Sequence, residues 1–148
     1  MELPITGTCQ CGQVSYAISD DPMITIACHC QDCQKLSASA FSLTIVIAAD
    51  SFELKSGELK VFERSTDAGG TAVCYFCPTC GNRVYHVNPE NPTIYRLKPG
   101  GLDNTSQIKP QAHVWTSRAQ PWVRLPDDLP VFETQPDLNE FFASQQSI

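Results

Sequence analysis

The sequence predicts an all-β domain of short strands, finished by a short C-terminal helix. Apolar residues recur with a period of two, turn-forming clusters separate the runs, and the 8 glycines and 11 prolines fall mostly in those breaks. "QVSYAI" puts Val14, Tyr16 and Ile18 on one face, and "AFSLTIVI" does the same with Phe41, Leu43, Ile45 and Ile47. Further strands are expected over Phe52–Leu54, Leu59–Glu63, Thr71–Phe76, Arg83–Val87, Ile94–Leu97 and His113–Thr116. "SDDP", "KSGE", "DAGG", "NPENP" and "KPGG" are the turns between them.

Helix is scarce. "QDCQKLSAS" has room for a turn or two directly after a group of cysteines. In "PDLNEFFAS", Asp137 and Glu140 have the spacing of an N-terminal capping pair, and Leu138, Phe141 and Phe142 share a helical face. "RLPDDLPVFETQP" before it reads as an extended, proline-stiffened arm over the surface. With 148 residues and neither an internal repeat nor a long linker, the chain is expected to be one domain over 1–148. Its core should run over about 5–125, and 126–148 form the arm and helix.

Sixteen acidic against ten basic side chains give a formal net charge of -6. That argues against the clustered basic footprint of a nucleic-acid binder, although a few local cations can still dominate one pocket. The start "MELPITGTCQ" lacks the basic and apolar pattern of an export signal, and "FSLTIVIAA" is far too short to span a bilayer. The expectation is a cytoplasmic protein without membrane segments, in which thiols stay reduced and eight cysteines favour metal over disulfides.

The thiols sort into two groups. "FCPTCG" is half of a zinc knuckle, whose tight turn aims Cys77 and Cys80 at one ion while the glycine lets backbone N–H groups approach the sulfurs. Cys9 and Cys11 of "TCQCG" are the obvious second half, and the four thiolates close a structural site with no vacancy. Cys28, Cys30 and Cys33 of "CHCQDC" remain. Three thiolates on zinc leave one coordination position open, the arrangement of a catalytic or ligand-capturing ion. A closed site with a fourth protein ligand and a metal-free triplet are the alternatives. Cys74 is available as that fourth ligand, but the alternation of "TAVCYF" makes it more simply a small apolar strand residue. His29 should point away from the ion shared by its neighbours, while His86 and His113 stand alone in strand-like runs.

The ordered blocks "GTCQCGQVSY", "CHCQDCQK" with "SASAF" behind it, "FCPTCGNRVY", "GGLD" and "HVWTSRAQPWV" run from about Gly7 to Val123. Together they closely resemble the glutathione-dependent formaldehyde-activating enzyme family, also called the centromere protein V/Gfa domain. The resemblance implies twisted, packed β-sheets of short antiparallel strands, similar to a Rab-binding exchange chaperone. It implies Cys9, Cys11, Cys77 and Cys80 as structural zinc ligands and Cys28, Cys30 and Cys33 as ligands of a second, catalytic and more labile zinc. The activity it implies is that of a carbon–sulfur lyase that forms or cleaves S-hydroxymethylglutathione. Where relatives carry a glycine before "SAF" this chain has Ala38, so a loop that used a positive φ there is expected to differ here.

An anionic thiol such as glutathione needs cations and an apolar wall. Lys35, Arg118 and Phe41 are the candidates for binding it, with Arg83, Trp115 and Trp122 as weaker ones. The competing reading is a non-catalytic zinc-stabilised module that recruits a protein partner. A homodimer fits either reading, though no stretch defines an interface.

Overall fold

The computed structural model describes residues 1–137 and 141. It divides the chain into two compact units, Met1–Ile24 with Thr44–Ile108, and Thr25–Leu43 with Lys109–Ile148. The protein is mostly β, as the sequence predicts. Among the described residues no helix is long and apolar enough to cross a membrane.

The first unit holds a three-stranded antiparallel sheet in the order β1 (Ile5–Thr8), β2 (Ser15–Ile18), β5 (Phe52–Ser56). It also holds an antiparallel succession of β4 (Ser42–Ala48, from Thr44 on), β9 (Ile94–Leu97), β8 (Arg83–Val87), β7 (Thr71–Phe76) and β6 (Lys60–Ser65). The period-two reading of β2 holds: Val14, Tyr16 and Ile18 are all buried. In β4 the alternation gives way to burial on both faces, with Thr44 and Val46 as enclosed as Ile45 and Ile47.

The core gathers Ile5, Val14, Tyr16, Ile18, Ile45, Ile47, Val84, Tyr85, Leu97 and Leu102, together with Cys9 and Cys77. Each large side chain removed from water contributes about 1.5–3 kcal/mol. Tyrosines spaced ten apart form a ladder across three strands. Tyr75 stacks on Tyr85 at 4.5 Å and Tyr85 on Tyr95 at 4.1 Å, with Phe52 meeting Tyr85 at 4.9 Å.

In the second unit β3 (Ile24–Cys28) pairs with β10 (Ala112–Val114), with Cys28 opposite Val114. This pair is parallel, a departure from the antiparallel expectation. Parallel strands cannot be joined by a tight turn, and these two are separated by most of the chain. The seven-residue helix α1 (Gln31–Ser37) follows β3 directly. Residues of the proline-rich arm run beside β10: His113 N–H donates to Pro130 O at 3.0 Å and Phe132 N–H to His113 O at 2.9 Å. The expected C-terminal helix falls mainly on 138–140 and 142–148, outside the described residues. Phe141 itself is buried, its N–H donates to Asp137 O at 2.9 Å, and its ring lies 5.8 Å from that of Phe132.

Two strands, β1 and β3, are absent from the period-two pattern. "ITGT" is short and interrupted by Gly7, and "ITIAC" is buried at Ile24, Thr25, Ala27 and Cys28, so it shows no polar face.

Buried His86 accepts at Nε2 from Arg83 Nη1 at 3.0 Å, which requires an unprotonated Nε2. Burial, then the charges of Lys98, Arg83, Arg64 and Arg96, push its pKa from 6.5 down to about 2. The unfolded chain therefore takes up a proton that the folded chain refuses, so stability falls as pH drops below 6.5. His86→Gln should flatten the urea-midpoint profile between pH 7 and pH 5 by on the order of 1 kcal/mol per pH unit below the histidine pKa. Identical profiles for variant and wild type would contradict the assignment.

Candidate metal centres

Four thiols meet on two turns of the first unit. Cys9 and Cys11 lie between β1 and β2, and Cys77 and Cys80 between β7 and β8. Their Sγ atoms all lie within 4.8 Å of one another, with Cys9–Cys11 at 3.6 Å and Cys11–Cys77 at 3.7 Å. A tetrahedral zinc with Zn–S near 2.3 Å requires S···S separations of about 3.8 Å, whereas a disulfide requires about 2.05 Å. Among the described residues, which include all eight cysteines, no disulfide forms.

The two turns are built alike. Gly12 (φ 85°) and Gly81 (φ 77°) follow the second cysteine of each pair in the left-handed region, which glycine enters without strain. The turns close through Gly12 N–H to Cys9 O at 3.0 Å and Gly81 N–H to Cys77 O at 2.8 Å. Val14 N–H then points at Cys9 Sγ, 3.2 Å away. Burial raises the Cys9 thiol, but this N–H and the neighbouring thiols outweigh it and bring the pKa to about 6. At Cys11 the N–H of Gln13 favours the thiolate, yet burial and the three other sulfurs push the pKa up to about 11. The N–H of Asn82 leads the effects that lower Cys80. Four thiolates resist one another's ionisation unless a cation joins them, so the donor set fits a divalent metal.

Cys28, Cys30 and Cys33 form the second cluster, again with all sulfurs within 4.8 Å. Cys28 ends β3, Cys30 is the N-cap of α1, and Cys33 lies in its first turn, with Cys33 N–H donating to Cys30 Sγ at 3.3 Å. Cys28 and Cys33 are buried among Val114, Leu36, Trp115 and Phe132, and Cys30 is half-buried. The neighbouring thiols of Cys30 and Cys33, then burial, hold the Cys28 thiol well above the usual range. Three thiols so placed fit a metal with three protein ligands. Among the described residues no fourth Cys, His, Asp or Glu joins them. Cys74 belongs to neither cluster: it is buried in β7 with its Sγ 3.8 Å from Ala72 O.

His29 is fully buried and outside the thiol cluster. Its Nε2 is 2.9 Å from His113 Nδ1, and its ring stacks on His113 and tilts against Phe41, both at 5.2 Å. Burial holds both histidines below the usual range, His29 also through His113.

Two non-glycine residues take a positive φ among the described residues, Ala38 (φ 50°) and Trp115 (φ 57°). Both belong to the elements around the triplet. Ala38 closes α1: its N–H donates to Lys35 O and that of Ser39 to Gln34 O, both at 3.3 Å, the Schellman pattern that glycine usually completes. The loop thus takes a positive φ with alanine in place of glycine. The paired carbonyls hold the left-handed turn, although an L-residue there costs about 1–2 kcal/mol. Trp115 follows Val114 and packs its side chain against the cysteine cluster.

A cleft of about 740 Å³ borders α1, lined by Gln31, Gln34, Lys35, Ala38, Ser39, Ala40, Gln120 and Trp122. Gln34, the residue after Cys33, organises its wall. Its Nε2 donates to His29 O at 2.8 Å and to Arg118 O at 3.0 Å, and its Oε1 accepts from Gln120 Nε2 at 3.2 Å. Trp122 Nε1 in turn donates to Gln120 Oε1 at 2.8 Å. Of the three residues expected to bind substrate, Lys35 lines the cleft, Arg118 contributes its carbonyl to the wall, and Phe41 stands against His29. Arg83 lies in the first unit, on His86. Spacing does not reveal that Gln34 and Gln120, or His29 and His113, meet here, because the partners are 86 and 84 residues apart. A separate concavity of about 390 Å³ against β1 and β2 is lined by Thr6, Ser15, Tyr16, Asp50, Glu53 and Asp103 among others and contains no cysteine.

Cys77→Ser opens the closed site, so it should lose one metal equivalent and several kcal/mol of stability, read by metal analysis and thermal melting. A variant that melts with wild type would remove the structural role. Ala38→Gly should raise stability by about 0.5–1 kcal/mol, since the strain relieved exceeds the entropy added. A lower urea midpoint would show that Ala38 is not strained.

A crystal structure of a Rhodobacter sphaeroides protein superposes with a TM-score of 0.55 at 21% sequence identity, covering 70% of this chain and 92% of that one. The likeness concerns the fold. The family described as glutathione-dependent formaldehyde-activating enzyme matches residues 4–118, which include both cysteine clusters, α1 and the Trp115 turn. The chain belongs to the glutathione-dependent formaldehyde-activating enzyme family.

Proposed function

We propose that this protein is a zinc-dependent enzyme of the carbon–sulfur lyase type. Its reaction forms or cleaves S-hydroxymethylglutathione or a related small thiol–aldehyde adduct. Cys28, Cys30 and Cys33 hold the catalytic zinc, and Cys9, Cys11, Cys77 and Cys80 hold the structural one. The observation that carries the reading is the difference between the clusters. One offers four thiols on unstrained glycine turns, and the other offers three, within elements that keep Ala38 and Trp115 in a left-handed conformation. Non-glycine strain of this kind collects at functional sites.

Cys28, Cys30 and Cys33 would hold the zinc, which would supply Lewis-acid stabilisation of the substrate thiol as thiolate. The remaining work falls to the chain's own residues. Lys35 offers an ammonium to a carboxylate of the thiol substrate, and Gln31 and Gln120 offer amides to its peptide groups. Trp122 adds an exposed aromatic face at the rim. Half-buried Cys30 sits at the cap of α1, with Cys28 and Cys33 buried to either side of it in the chain. In the forward direction one C–S bond forms as the aldehyde C=O π bond opens, and the oxygen takes up the proton given by the thiol. Cleavage is the reverse.

Exchange of ¹³C-formaldehyde with glutathione, followed by NMR, tests the reading. The zinc-loaded protein should speed interconversion of free aldehyde and adduct above the buffer rate. Cys30→Ser should keep the fold and lose the acceleration, because the position is half-buried at the edge of its cluster and a serine oxygen can still accept the Cys33 N–H at the cap of α1. Acceleration retained in Cys30→Ser would take the triplet out of the reaction. No acceleration by the wild type would favour a binding module.

A further inference from the structure

The family match ends at residue 118, yet the proline-rich arm beyond it reaches the cysteine triplet. β10 pairs with β3 on one side, and residues 130–134 run along its other side and the turn that follows. His113 donates its N–H to Pro130 O at 3.0 Å and accepts from Phe132 N–H at 2.9 Å, a parallel bridge opposite Val131. Trp115 N–H donates to Thr134 O at 3.3 Å and Ser117 N–H to Glu133 O at 3.2 Å. Phe132 is held most firmly. Its carbonyl accepts from Thr116 twice, from N–H at 3.0 Å and from Oγ1 at 3.1 Å.

This anchoring fixes where the Phe132 ring lies. Val131 and Glu133 on either side are exposed, so the strand-like alternation of the arm turns half-buried Phe132 inward between them. The ring packs against the buried group of Cys28, Cys33 and Val114, and the ring of buried Phe141 lies 5.8 Å from it. Trp115, at φ 57°, packs against the same group. The N–H groups of Trp115 and Thr116 both end on the arm, so the arm also supports that left-handed turn.

A thiolate site loses its ion when protons or competing ligands reach it, and an apolar shell limits their access. We propose that Phe132 is a residue of the second metal centre, and that the arm is the strap by which the chain retains an ion on Cys28, Cys30 and Cys33. This role requires a metal on the triplet and is independent of the reaction assigned there. The four-thiol cluster belongs to the other unit, where its buried sulfurs pack with Ile5, Val14 and Tyr85, and it serves as an internal reference.

Release of zinc from the loaded full-length protein to an excess of a chromogenic chelator tests the role. Wild type should release two equivalents in separate phases, and the phase missing from Cys30→Ser is that of the triplet. Phe132→Ala should speed this phase by about tenfold or more and leave the other unchanged. Phe132→Leu keeps an apolar cover and should release close to the wild-type rate, as should Val131→Ala, whose side chain faces solvent. Thr116→Val keeps the shape but removes one bond to Phe132 O, so it should speed the same phase to a smaller degree. A wild type that holds one equivalent would overturn both the metal on the triplet and the strap. Two equivalents with unchanged release in Phe132→Ala and Thr116→Val, both phases accelerated alike, or an equal effect of Val131→Ala would overturn the strap alone.

Discussion

Four sulfur atoms brought within reach of one shared ion are the constraint on which the turns of the first unit depend. Cys11 and Cys77 are 66 residues apart in the chain and 3.7 Å apart in space. Closing so long a loop costs entropy, and uncompensated thiolates at that distance repel one another. The separations match a shared tetrahedral ion and not a disulfide, so the cost falls when the cluster has a cation to surround. Cys9 and Cys77 are also core residues, packed with Ile5, Val14 and Tyr85. A metal held by these four thiols would therefore be coupled directly to the hydrophobic packing of these turns.

The second cluster uses the same ligand chemistry with a different support. Its sulfurs come from a strand end, a helix cap and the first helical turn, which fix them without a second pair of turns. Around it the backbone accepts strain at Ala38 and Trp115, and a glutamine relay from Gln34 to Gln120 and Trp122 holds the wall of the cleft. A site meant only to hold the fold together has no need of these. They are understandable where a wall and an opening must be kept at set positions for a ligand.

The strands of the first unit serve two surfaces at once because their side chains alternate. One parity builds the tyrosine ladder and aliphatic core, and the other gathers arginines and lysines around His86.

Much of this was legible without a structure. Cysteine spacing is local chemistry: C-x-C-G and C-x-x-C-G dictate tight turns, so each half of the four-thiol group and the triplet are read from residues a few positions apart. Period-two runs likewise determine that β2 and β4 to β9 are strands, because the pleat itself sets that alternation. Tertiary structure alone decided the rest. It paired β3 with β10 in parallel, kept a left-handed Ala38, brought His29 against His113 and Gln34 against Gln120, and aligned His86 with Arg96. These are contacts between residues far apart in the chain, settled by the register and packing of whole elements, and no local spacing encodes them.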